Sequence, residues 1–131
     1  MAGDLRANQT VWRNTITTYK SQFTRLEKLL VDARQCTKDL TDPASGVTLK
    51  DAKKLVDPIK RKLELVNNYV TSLHTLLPAA AGPDEDQQYN VEKLTVELNT
   101  CMDRVEAANV ECASFYEIIN NMETDTTKES K

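Results

Sequence analysis

Apolar side chains recur along the chain at alternating steps of three and four residues, in three long runs. The first run is Trp12, Ile16, Tyr19, Phe23, Leu26, Leu30 and Ala33. The second is Ala52, Val56, Ile59, Leu63, Val66, Val70, Leu73 and Leu77. The third is Val91, Leu94, Leu98, Cys101, Val105, Ala108, Cys112, Phe115, Ile119 and Met122. A mean period of about 3.5 places each set on one narrow helix face, whereas a strand requires alternation by two. Three amphipathic helices are predicted, over about 9–40, 49–77 and 85–122. Their apolar stripes form a core seam that includes every residue just named. Leu29, Leu55, Leu76, Val96, Tyr116 and Ile118 flank the stripes and either widen the buried face or provide a second one for another subunit.

Turn-forming residues fall between the runs. Thr41-Asp42-Pro43-Ala44-Ser45-Gly46-Val47 separates the first two, and Thr48 with Asp51 resembles a capping box opening the second helix. Pro78-Ala79-Ala80-Ala81-Gly82-Pro83 separates the second from the third, where Asp84, Glu85 and Asp86 place negative charge at the positive end of the helix dipole. Pro58 interrupts the second run without changing its phase, which predicts a kink or tight break. Short connections make successive helices antiparallel neighbours. The expected architecture is all-α: an elongated up-down-up three-helix bundle with coiled-coil-like heptad packing, spanning 1–122 as one domain. Residues 123–131 lose apolar content and are expected to form a disordered polar tail.

Composition narrows the alternatives. The 131 residues include only 3 Gly and 4 Pro, too few for the frequent turns of a β-sandwich or barrel. No apolar run reaches the roughly 18 residues of a membrane span, and the leading residues lack the apolar core of a signal peptide. A cytoplasmic or nuclear chain is expected, and with it reduced thiols at Cys36, Cys101 and Cys112. Cys101 and Cys112 lie eleven residues apart on one predicted helix, roughly 16 Å, beyond disulfide reach. Asn8-Gln9-Thr10 matches a glycosylation sequon but lacks the secretory context that would give it meaning.

Signatures of enzymatic chemistry are missing from the chain. His74 is the sole imidazole, so neither a histidine-activated nucleophile nor a His/Cys metal array is predicted. The three glycines are isolated and make no phosphate loop. No catalytic residue, metal ligand or cofactor site is assigned, and a non-enzymatic protein is expected.

Charge becomes informative when divided along the chain. Residues 1–83 carry 13 Lys or Arg against 8 Asp or Glu, and residues 84–131 carry 4 against 12. That split favours docking of the third helix on the other two. Lys50, Lys53, Lys54, Lys60, Arg61 and Lys62 form the densest cationic cluster, a candidate face for an anionic partner. Lys50, Lys54 and Arg61 share a strip, and Lys62 points well away from it. No aromatic residue is interleaved among them, as base stacking would require.

Lys20-Ser21-Gln22-Phe23-Thr24-Arg25-Leu26-Glu27-Lys28-Leu29-Leu30 resembles the opening of Gag proteins from BEL/Pao-type retrotransposons, with their Lys-x-x-x-Thr-Arg-Leu-like run. The resemblance extends through Lys60-Arg61-Lys62-Leu63-Glu64-Leu65-Val66 and a long helix spaced like Tyr89 to Asn121. It implies a Gag-like helical domain that self-associates or binds a protein partner, near RNA. The zinc-knuckle Cys/His array of a full Gag has no counterpart here. Three roles stand open at this point: a self-assembling scaffold, a monomeric cytosolic adaptor for one partner helix, and an RNA-associated protein using the cationic face of the second helix.

Overall fold

A computed structural model describes residues 2–129, with side chains described for residues 4–124. Three helices, α1 (Ala2–Leu40), α2 (Leu49–Ala80) and α3 (Val91–Glu129), form an all-α bundle, with a 3-10 turn at Pro43–Ser45. Cross-bundle bonds fix the directions. Asn8 meets Ala79 and Lys62 meets Gln22, so α1 and α2 are antiparallel. Trp12 meets Glu97 and Arg34 meets Glu111, so α1 and α3 run parallel. The topology is up-down-up. A helix of 39 residues is about 58 Å long, which makes the molecule a rod.

The seam is filled along its length, and among the described residues every buried side chain is apolar. On α1 and α3 the observed stripes follow the predicted ladders, from Trp12 to Ala33 and from Leu94 to Ile119. Cys36 extends the α1 stripe by one step. Val91 does not belong to the seam: it is 51% exposed at the first position of α3. Val96 is likewise exposed rather than a widening of the core.

On α2 the fully buried positions are Ala52, Ile59, Val66, Leu73 and Ala80, spaced by seven. Val56, Leu63, Val70 and Leu77, expected in the seam, are only half-buried, as are Leu55, Tyr69 and Leu76 on the opposite flank. The reason is geometric. One column of α2 points between its two neighbours, while each flanking column touches a single helix and keeps its other side in water.

Helix ends depart from the predicted boundaries for local reasons. Helix α1 begins at Ala2 rather than near residue 9, and its Asn8 and Gln9 amides donate to the carbonyls of Ala79 and Ala80 at the end of α2 (3.2 and 3.3 Å). Those carbonyls lack intrahelical partners, so the contact caps α2 while tethering α1. Helix α2 is unbroken through Pro58 and takes in Pro78, which the turn had been expected to claim. Each proline forfeits one amide donor, a loss that the packed face of a long helix outweighs. The capping box is present: Asp51 N–H donates to Thr48 Oγ1, and Thr48 N–H donates to Asp51 Oδ2. The Thr48 N–H and hydroxyl both donate to Asp51 Oδ2 and hold its carboxyl below the usual carboxylate range. Gly46 supplies the left-handed residue (φ 74°) that turns the chain into α2.

Helix α3 starts at Val91, six residues later than the acidic run suggested. The Asp86 carboxylate accepts from the Gln88 and Tyr89 amides (2.8 and 2.9 Å), a local turn that competes with helix. Gly82 N–H donates to the Tyr89 carbonyl at 2.7 Å and closes the loop. Asn90 is the true cap, its Oδ1 accepting from Lys93 N–H at 2.9 Å. Replacing Asn90 by Ala should cost about 1 kcal/mol in a denaturant titration, the usual worth of such a cap. Helix α3 also continues to Glu129, so the expected disordered tail is helical over residues 123–129, while 130–131 lie outside the described residues. Losing apolar content ends packing, but an established helix propagates one bond per residue without it.

Candidate interaction surfaces

The cationic cluster of α2 is not one continuous patch. Lys50, Lys54 and Arg61 are exposed on its outer face, and Lys60 is exposed in the column that faces the α3 groove. Lys53 is turned to α3, where its Nζ pairs with Glu123 Oε1 at 2.7 Å. Lys62 lies half-buried on the α1 side, and its Nζ donates to Gln22 Oε1 at 2.6 Å. Asp57 and Glu64 stand among the remaining cations, lining with Lys60 and Arg61 a groove of about 760 Å³ against Tyr116 of α3. The Tyr116 hydroxyl is shielded from water there without a hydrogen-bond partner. Burial, reinforced by Cys112 and Asp57, pushes it up to about 12.

Helices α1 and α3 meet through long side chains that bridge a shallow furrow. The Trp12 indole N–H donates to Glu97 Oε1 at 2.7 Å, and the Tyr19 hydroxyl donates to the Cys101 carbonyl at 3.2 Å. Arg13 donates to the Tyr89 hydroxyl and lies over its ring, 5.5 Å from the centroid. Arg34 makes a two-pronged ion pair with Glu111. The furrow opens at Ala33, Thr37, Phe115 and Ile118 into a cavity of about 350 Å³. Sequence periodicity marked Trp12 and Tyr19 as core but could not show that their polar ends hold α3 in register.

Cys36, Cys101 and Cys112 are buried free thiols, and burial raises all three. Cys112 is pushed up to about 11, with Glu111 adding to burial. Burial also raises Tyr19. The neutral forms are therefore favoured in the fold. The unfolded chain loses these protons first, so stability is intact below about pH 9 and declines as pH rises toward 11–12. Melting temperature measured from pH 8 to 11.5 should fall progressively above pH 9, and a flat profile would contradict the burial of these groups.

Among the described residues, no group of three His, Cys, Asp or Glu side chains is placed to hold a metal ion, and no helix is long and apolar enough to cross a membrane. Comparison with protein-family models, curated proteins and solved structures finds no match for the chain.

Proposed function

We propose that the chain is a non-enzymatic helical module that works by protein–protein contact in the cytoplasm, chiefly by self-assembly, in the manner of a Gag-like structural domain. The observation that carries this reading is the closed apolar seam: no described polar or charged residue is buried, so specific recognition falls to the outer faces of long, stiff helices. Such faces are extended and shallow, a shape suited to another helical surface more than to a small molecule. The likeness of Lys20–Leu30 and Lys60–Val66 to the Gag runs, in a chain of matching helix order, supports the structural-protein form of the proposal.

RNA contact through α2 is the weaker reading. Lys53 and Lys62 are engaged within the bundle, and Asp57 and Glu64 dilute the other four cations. Size-exclusion chromatography with light scattering tests the self-assembly reading. The account expects a mass above 14.8 kDa that rises with concentration; a value fixed at the monomer mass would reject it.

A further inference from the structure

Charged residues make up 28% of the chain, yet Leu65 to Pro83 contains none. The second half of α2 therefore turns an uncharged face to solvent, through Asn68, Ser72 and Thr75. The adjoining face of α1 is uncharged as well. Asn8 against Ala79 and Gln22 against Lys62 set the register, and between them α1 presents Val11, Thr15 and Thr18 on the side toward α2 and Asn14 and Ser21 on the outward side next to it. Arg13 and Lys20 project to the opposite side, lining the furrow against α3. A neutral surface thus spans two antiparallel helices. Protein surfaces ordinarily mix charges throughout, whereas interface centres are depleted of them.

Part of this face's polar surface is already paired, and the Asn14, Ser21, Asn68 and Ser72 side chains are left to bond across the contact. The hydroxyls of Thr15, Thr18, Thr71 and Thr75 already donate to carbonyls one turn back on their own helices. The Asn8 amide is likewise spent on Ala79. Val11 is half exposed, and Tyr69 and Leu76 are half-buried beneath the polar residues.

We propose that this face is a self-association surface, on which a second copy packs antiparallel about a two-fold axis lying across α1 between Asn14 and Thr15. The inference rests on the self-assembly reading and gives it a location. In a two-fold contact a surface meets itself, so a patch of one sign repels its mate while a neutral patch does not. The rim selects the axis. On α1 the heptad column facing this way reads Asp4, Val11, Thr18 and Arg25. Reversal about the proposed axis sets Asp4 of one copy opposite Arg25 of the other, twice, and Val11 opposite Thr18. A two-fold parallel to the helices would instead bring Arg25 beside Arg61 of the second copy. From Asp4 to Arg25 is about 31 Å of helix, and two helices are about 20 Å wide. The contact then buries roughly 1,200 Å² in total, the lower edge of stable interfaces.

Sedimentation equilibrium of the full chain between about 1 μM and 1 mM tests this, with circular dichroism confirming that each variant remains helical. Wild type should pass from monomer to dimer. Thr18→Glu with Ser72→Glu should raise the dissociation constant at least tenfold, and Val110→Glu on the exposed face of α3 should leave it unchanged. Arg25→Asp should weaken the dimer, and adding Asp4→Arg should restore it. If wild type self-associates and Thr18→Glu with Ser72→Glu does not weaken it, this face is the wrong one, while the self-assembly reading survives. A wild type that stays monomeric throughout overturns both.

Discussion

Replacing Trp12 with Ala should lower the stability of the bundle by about 3–5 kcal/mol. For a chain of this length that corresponds to a fall in melting temperature of roughly 10–20 °C. Trp12 is 1% exposed and is the largest of the fully buried side chains. Its loss removes a large apolar surface, leaves a void at the lower end of the seam and frees Glu97 of its indole partner. Trp12→Phe separates these effects. It keeps a six-membered ring in the seam but removes the N–H together with the rest of the indole's five-membered ring, so it should cost less than the alanine, about 1–3 kcal/mol. Equal losses from both variants would mean that the hydrogen bond, not the ring, holds α1 to α3.

The second large effect distinguishes the observed α2 stripe from a simple alternating ladder. Ile59→Ala should cost about 2–5 kcal/mol, because Ile59 is fully buried in the column of α2 that faces both neighbours. Leu63→Ala, four residues on and at half burial, should cost about 1–1.5 kcal/mol, in proportion to the smaller area it keeps from water. Urea denaturation of the two variants decides the matter. Similar losses would restore the evenly buried ladder and contradict the packing described.

These two residues also show how far the sequence reaches. Ile59 and Leu63 are equivalent members of one ladder, and period alone cannot rank them. Their difference arises from where α2 sits relative to two partners, which is a tertiary fact. On α1 and α3 the ladder and the buried column coincide, so Trp12 to Ala33 and Leu94 to Ile119 were legible in full. The Thr48–Asp51 box was legible because its geometry is local. The start of α3 was not: Asp84, Glu85 and Asp86 suit a helix N-terminus, but the Asp86 side chain takes the Gln88 and Tyr89 amides for a turn, and Asn90 caps the helix instead.

Surfaces were harder to read than the core. The cluster Lys50 to Lys62 is dense in sequence, yet a helix spreads consecutive residues around its circumference. Lys53 therefore reaches α3 and Lys62 reaches α1, and only part of the cluster shares an outer face. The neutral face consists of residues that carry no motif. Its signal was present as the uncharged stretch from Leu65 to Pro83, but the matching side of α1 is interleaved with Arg13 and Lys20 and emerges only when helix faces are separated.

The central claim is that a stiff three-helix rod associates with itself. Small-angle X-ray scattering over a concentration series measures shape and mass together. The account predicts a rod at least about 58 Å long at low concentration, with a mass of 14.8 kDa, and a mass approaching twice that value as concentration rises. The antiparallel pair is centred away from the middle of the rod, so its longest dimension should exceed that of the monomer. A mass that holds at 14.8 kDa at every concentration would contradict the account.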